Sequence, residues 1–286
     1  MKLLFTGDAG RIGLRLRPLL ERNHRVVCAD RRPGPTQRLV GDLSEPGFCA
    51  RAVAGTEAVF HFAGTPHPGP DTYANNLVST ENLARAAAEA GVERFVLAST
   101  INVQGQGEYQ PYPRLFKPRR LPFDESDDCH AEDDYGRSKL GCEKFLEQFS
   151  QETSMSVLCL RLAAVWEPER TDSYLPHRGP GQLREGYLID PWHYLDLRDL
   201  HRACEDYLSL AAPPSFSAVY LLASDTTASV ETRALFERGL PGWLDTFQPP
   251  PQGYQAWFSN RKASALLGWE PRHSCRAGFW KRWLRR

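Results

Sequence analysis

Apolar residues along the chain fall into short runs that alternate with stretches of helical spacing. Leu3-Leu4-Phe5-Thr6 is the first run; it stops at Gly7-Asp8-Ala9-Gly10-Arg11-Ile12-Gly13, after which Ile12, Leu16, Leu19 and Leu20 recur with the period of a helix. Strand, glycine-rich turn and helix are therefore expected, with Pro18 kinking the helix or ending it early. Val26 to Ala29 is a second strand-like run closing on Asp30, and Arg38 to Val40 a short third. Ser44 to Ala54 reads as a helix with Ser44 as N-cap and Pro46 in its first turn. Strands from Ala58 to Phe62 and from Phe95 to Ala98 flank a helix over Tyr73 to Ala90 that Gly91 stops. A helix over Ala131 to Gln151, a strand over Val157 to Ala163, a helix over Leu195 to Leu210, a strand over Val219 to Leu222 and a helix over Val230 to Arg238 continue the alternation. Strands alternating with helices predict an α/β fold built on a doubly wound parallel sheet.

The alternation lapses twice, from Gln104 to Glu132 and from Trp166 to His193, in stretches rich in Pro, Gly and Arg. Loops of that length in compact domains are often lids or binding segments. The C-terminal stretch carries Trp243, Trp257, Trp269, Trp280 and Trp283, which predicts a compact apolar lobe. The expected organisation is a Rossmann-type core over 1–165, completed by 194–223, with 166–193 and 224–286 forming a small C-terminal substrate lobe.

Charge narrows the partners. Among 286 residues, Lys plus Arg and Asp plus Glu number 35 each, which argues against a nucleic-acid or acidic-membrane surface and for a small molecule. The cysteines, Cys28, Cys49, Cys129, Cys142, Cys159, Cys204 and Cys275, form no Cys-x-x-Cys pair, so no metal site is expected, and free thiols fit a reducing cytoplasm. Neither a signal peptide nor a membrane span is expected from the apolar runs.

The glycine turn suits a pyrophosphate, because glycines let the backbone approach closely and a helix start offers free N–H groups to negative charge. Asp30, at the end of the second strand and 20 residues beyond Gly10, stands where a dinucleotide fold bonds ribose hydroxyls. A carboxylate there favours NAD over NADP, although Arg31 and Arg32 beside it could take a 2′-phosphate and keep NADP open. Tyr135 and Lys139 are four residues apart on an expected helix and share one face. A cation at roughly 4 Å and an effective dielectric of about 20 favours a phenolate by about 4 kcal/mol, or roughly three pK units, enough to let a tyrosine exchange protons near pH 7.

With these pieces placed, the chain resembles the extended short-chain dehydrogenase/reductase family, epimerase/dehydratase branch, over nearly its whole length. The resemblance is carried by Thr6 to Gly13, Asp42-Leu43, His61-Phe62-Ala63-Gly64 and Asn76-Leu77-Val78-Ser79-Thr80-Glu81-Asn82-Leu83. It continues in Ser99-Thr100-Ile101-Asn102-Val103-Gln104-Gly105, Tyr135 to Lys139, Arg161 to Pro168 and Tyr194 to Asp199. It implies Tyr135 as general acid/base, Lys139 as the cation that lowers its pKa and bonds the nicotinamide ribose, and Thr100 as the hydroxyl steadying the substrate oxygen. It also implies cofactor contacts at Gly7, Gly10, Arg11, Ile12, Gly13, Asp30, Arg31, Asp42, Leu43, Phe62, Ala63, Gly64, Asn76, Ala98 and Ser99, besides Tyr135 and Lys139.

Within the family, dehydratases carry Thr-Asp-Glu where this chain has Thr100-Ile101-Asn102, so dehydration is disfavoured. Ala164 replaces the family's Asn three residues after Arg161, which weakens a nucleotide-sugar substrate. Length and the ending Phe258-Ser259-Asn260 through Trp269-Glu270-Pro271 look more like small sugar-acid dehydrogenases of the uronate type, though those carry Asn-His at Ile101-Asn102. Substrate contacts are expected from Asn102, Ala164, Glu167, Arg170, His177, Arg178 and His193, although His193, between Trp192 and Tyr194, equally suits a packed core. The reaction expected is hydride transfer between NAD and a secondary alcohol or ketone of a sugar-like substrate. Epimerisation with retained NAD, and a non-catalytic nucleotide-binding sensor or scaffold, are the alternatives. The helices from Tyr73 and Tyr135 resemble those that pair in homodimeric relatives, so a homodimer is expected.

Overall fold

The structure is a computed structural model and describes residues 1–34, 38–105, 117–174 and 192–277. The chain divides into two compact units, the first formed by Met1–Val103, Asp133–Arg161 and Tyr207–Val219 and the second by Gln104–Glu132, Leu162–Asp206 and Tyr220–Arg286.

The first unit holds most of the main sheet. Its strands are β1 (Lys2–Thr6), β2 (Arg25–Asp30), β3 (Leu39–Val40), β4 (Ala58–His61), β5 (Arg94–Thr100), β6 (Ser156–Leu162) and β9 (Phe216–Leu221), in the order β3-β2-β1-β4-β5-β6-β9. From β3 through β5 each neighbouring pair is parallel. Strand order reverses at β1, which lies between β2 and β4, so the crevice beyond the carboxyl ends of β1 and β4 is the topological switch point where open α/β sheets bind ligands. Leu3, Leu4, Phe5, Val59, Phe60, Phe95 and Val96 are fully buried along these strands, as a sheet covered on both faces requires.

Helices α1 (Gly13–Leu20), α2 (Pro46–Val53), α3 (Thr72–Glu89) and α4 (Asp134–Gln151) belong to the same unit. Helix α1 runs through Pro18 and stops two residues later, the early end expected of a proline inside a helix. Helix α3 ends in a Schellman cap, the Val92 N–H donating to the Ala87 carbonyl at 2.9 Å and the Gly91 N–H to that of Ala88 at 3.1 Å, with Gly91 at φ +75°. The starts of α2 and α4 differ from the sequence reading. Helix α2 takes Glu45, not Ser44, as its N-cap, since the Glu45 carbonyl is the one that accepts the Phe48 and Cys49 N–H groups, at 3.0 and 3.2 Å. Helix α4 starts at Asp134, not Ala131: Asp133 Oδ1 accepts the Gly136 N–H at 2.8 Å and ends the preceding loop.

The second unit contains a two-stranded parallel sheet of β7 (Ala164–Trp166) and β8 (Tyr194–Asp196), with helices α5 (Pro168–Ser173), α7 (Thr232–Gly239) and α8 (Arg261–Leu267) and most of α6 (Leu197–Ser209). The stretch read as irregular from Trp166 thus holds a short helix, while 175–191 lie outside the described residues; Leu195 and Asp196, read as the start of a helix, belong to β8. Trp192, Trp257 and Trp269 are almost wholly buried, and Phe236 meets Phe247 and Trp257 edge-to-face at 4.9 and 5.2 Å. This is the aromatic core that the C-terminal tryptophans predicted; Trp280 and Trp283 lie outside the described residues.

Candidate functional site

The glycine turn is shaped by close backbone approach. Gly7 has φ +78°, and a Cβ on it would stand 2.5 Å from the Ala63 nitrogen. A Cβ on Gly13 would stand 2.3 Å from the Gly7 carbonyl oxygen, and the Gly10 N–H donates to that oxygen at 3.0 Å. A side chain at 7 would meet the backbone of Phe62 and Ala63 just after β4, and one at 13 the backbone of Gly7 and Asp8.

Beside this turn lies a cleft of about 510 Å³. It is lined by Gly7, Gly10, Arg11, Asp30, Arg31, Asp42, Leu43, Phe62, Ala63, Gly64 and Asn76, together with Arg32, Gly41, Ser44 and Thr65 among others. The structure thus brings most of the expected cofactor residues to one cavity. Ile12 and Gly13 begin α1 behind the turn and are not among the lining residues. Asp30 is buried, with Oδ2 accepting the Ala9 N–H at 3.1 Å and Oδ1 the Arg32 N–H at 2.9 Å. Asp42 accepts the Ser44 N–H, which holds its carboxyl below the usual carboxylate range.

Asn76 has a bracing part. Its Oδ1 accepts the Thr65 N–H at 2.7 Å, and its Nδ2 donates to the Thr65 carbonyl at 3.1 Å and to Ser138 Oγ at 2.9 Å, tying the Gly64 loop to α4. Under that loop lies Lys139, 4% exposed, whose Nζ stands 3.3 Å from where a Gly64 Cβ would be. Burial lowers the Lys139 pKa, opposed by the nearby Glu143 carboxylate. Tyr135 lies one turn earlier on α4 and is half-buried.

Next to Lys139 is an arrangement that sequence reading missed. Arg161 Nη2 of β6 donates to Glu143 Oε2 of α4 at 2.9 Å, and Ser99 Oγ at the end of β5 donates to Glu143 Oε1 at 2.5 Å. All three residues are buried. Ser99 is thereby committed below the site, whereas Thr100 Oγ1 accepts only the Asn102 N–H, at 3.2 Å, among its described bonds. Ala98, just before them on β5, is half-buried.

His61 forms a second buried chain. The Ala63 N–H donates to Thr6 Oγ1 at 3.3 Å, and that hydroxyl lies 2.8 Å from His61 Nδ1. The Thr80 hydroxyl donates to the Asn76 carbonyl at 2.8 Å, so His61 Nε2 is the donor to Thr80 at 3.2 Å. The ring is accordingly neutral and protonated at Nε2, and burial, with Lys139 adding to it, pushes its pKa down to about 3.

The expected substrate residues are more scattered. Asn102 is half-buried in the 3₁₀ turn after β5. In the second unit Ala164 is half-buried on β7, Glu167 caps α5, and the exposed Arg170 stacks on Trp166 with its guanidinium carbon 4.0 Å from the ring centre. His193 is 1% exposed, meets Trp257 and Phe258 edge-on at 4.4 and 5.1 Å, and accepts the Trp257 N–H, a core placement. His177 and Arg178 lie outside the described residues. Among the described residues no cluster suits a metal ion, and no helix is long and apolar enough to cross a membrane.

A profile of the NAD dependent epimerase/dehydratase family matches residues 3–205. A 3β-hydroxysteroid dehydrogenase/Δ5→4-isomerase of Mycobacterium tuberculosis is 29% identical over 189 residues, 58% of this chain and 47% of that protein. A UDP-glucose 4-epimerase of Vibrio cholerae is 32% identical over 137 residues, 45% of this chain and 39% of that protein. The chain thus spans about half the length of these curated relatives, or less. The solved glucuronic acid dehydrogenase of Chromohalobacter salexigens superposes with a TM-score of 0.70 at 20% identity, covering 99% of this chain and 88% of that one, a likeness of fold. Profile, sheet order and glycine turn agree: the chain belongs to the NAD-dependent epimerase/dehydratase family, the extended short-chain dehydrogenases/reductases, and its cofactor is NAD.

Proposed function

We propose that the chain transfers a hydride between NAD and a secondary alcohol or ketone of a sugar or sugar-like substrate, with Tyr135 as general acid/base. The observation that carries this is the buried Lys139 ammonium, one helical turn from Tyr135 and under the loop that borders the dinucleotide cleft. The cleft suits the dinucleotide: side chains at Gly7 and Gly13 would fill the turn, and Asp30 presents a carboxylate to ribose hydroxyls. NAD, when bound, supplies the hydride acceptor or donor. Tyr135 takes the proton of the substrate hydroxyl in oxidation and returns it in reduction. Lys139 stabilises the phenolate, and the Thr100 hydroxyl holds the substrate oxygen.

Segments 166–193 and 224–286 form the substrate lobe in this reading, with Glu167 and Arg170 as polar contacts; Arg170 is suited to a carboxylate or phosphate. The buried free thiols fit a cytoplasmic protein. A homodimer through α3 and α4 is part of the proposal, supported by the exposed Tyr73 and Val78 on α3, and sedimentation as a monomer would refute it. Incubation with NAD and a panel of sugars, lactones and uronates, recording reduced nicotinamide, tests the activity. Absence of both reduction and NAD binding overturns it. Similarity to a 4-epimerase favours a second reading, in which NAD stays bound and the substrate is oxidised and re-reduced. Cofactor that co-purifies, with product formed and no net NADH, would select that one.

A further inference from the structure

The nucleotide turn contains a carboxylate that cofactor binding leaves unexplained. Asp8, between Gly7 and Gly10, is fully buried, and its Oδ2 lies 3.0 Å from Nη2 of Arg38, whose side chain is 2% exposed. An acid in a turn that receives a pyrophosphate opposes its ligand unless it is neutralised, and Arg38 neutralises it.

The position of Arg38 gives the pair a second consequence. Val40 of β3 pairs with Asp30 of β2, and Leu39 with Ala29. Arg38 therefore stands level with Cys28, two residues back from Asp30, and on the same face of the sheet as the Asp30 side chain, at about 3.3 Å per residue along the strand. Its guanidinium lies under the loop after Asp30: the position of a Gly34 Cβ is 2.5 Å from Nη2, and Nη1 donates to the Arg32 carbonyl at 3.5 Å. Arg31, Arg32 and Gly41 of the same segment line the cleft. A guanidinium on this face, within a side chain's sweep of Asp30, is the group that would grip a ribose 2′-phosphate in a bidentate fork. Asp8 engages that guanidinium through Nη2.

We infer that Asp8 is a specificity-determining residue: by holding Arg38 in a buried ion pair it withholds the guanidinium from the adenosine ribose and leaves Asp30 to select NAD over NADP. The inference rests on the proposed cofactor cleft, and titration of NADH and NADPH into the full chain by fluorescence separates the two. Wild type that binds neither nucleotide removes the cleft reading itself. Given binding, Asp8→Asn is expected to narrow the preference for NADH over NADPH by about tenfold, the worth of one charge-assisted contact, and Asp8→Asn with Arg38→Met to restore it. Arg38→Met alone is expected to leave the preference undiminished. Asp8→Ser carries the same expectation and replaces Asp8→Asn if that variant does not fold. A merely structural pair would weaken both nucleotides by the same factor. Equal weakening, or a narrowed preference that survives Arg38→Met, overturns the inference.

Discussion

Glu143 is where the fold and the site are most tightly coupled, and replacing its partner Arg161 with methionine tests that coupling. Both side chains are nearly inaccessible, at 4% and 8%, and the pair joins α4, one turn beyond Lys139, to β6, while Ser99 adds the end of β5. Arg161→Met leaves the carboxylate buried with only the Ser99 hydroxyl from this triad. Removing one partner of a buried pair costs about 3–5 kcal/mol. At about 2–4 °C per kcal/mol the thermal midpoint then falls by roughly 6–20 °C. Replacing Glu143 and Arg161 together by methionine removes the stranded charge. The replacement is neutral to about 4 kcal/mol stabilising, against about 1–3 kcal/mol for the Ser99 hydroxyl left without an acceptor. The double variant should therefore melt within a few degrees of wild type. Because it also loosens the strand end beside Thr100, its turnover should stay depressed while its fold recovers. Thermal and urea unfolding of the two variants decide the matter. A double variant as unstable as Arg161→Met alone would refute the buried-charge argument and point to packing instead.

Three further outcomes follow from the same geometry. Lys139→Met withdraws roughly 4 kcal/mol of support for the Tyr135 phenolate, so turnover at neutral pH should fall about a thousandfold and recover in alkali, read from a pH–rate profile. His61 has its folded pKa depressed to about 3, below its ordinary value near 6.5, so the unfolded chain binds the extra proton in that window. Its contribution to stability is complete above pH about 6.5 and is lost as pH falls toward about 3, at up to 1.4 kcal/mol per unit, and urea midpoints of His61→Gln against wild type should show a flatter acid limb. Gly13→Ala places a Cβ 2.3 Å from the Gly7 carbonyl, and calorimetric titration should find NAD binding lost while far-UV circular dichroism is retained.

Much of this was legible in the sequence because it rests on local pattern. Leu3 to Gly13 announces strand, turn and helix within a few residues, Asp30 closes β2 as read, and the Tyr135 and Lys139 spacing needs only that α4 be a helix. What escaped depends on contacts across many residues. Glu143 and Arg161 are 18 apart and Ser99 is 44 from Glu143, so nothing local announces their triad. Asp8 was visible as an acid inside a glycine turn, but its partner Arg38 reaches it only through the parallel pairing of β2 and β3. Helix starts were misplaced by one to three residues: Asp133 accepts from Gly136 at the start of α4, and the first carbonyl of α2 is that of Glu45 rather than Ser44. His193 shows the converse, a polar residue in a loop-like sequence enclosed by Trp257 and Phe258.

The central claim, that Tyr135 moves the proton while NAD carries the hydride, is tested most directly by Tyr135→Phe. NAD affinity and the rate of nicotinamide reduction should be measured on the same preparation, with a substrate that the wild-type chain oxidises. The variant is expected to bind NAD as wild type does and to lose turnover by about 10²–10⁴-fold, the range of general acid–base catalysis. Unchanged turnover with intact NAD binding would contradict the account.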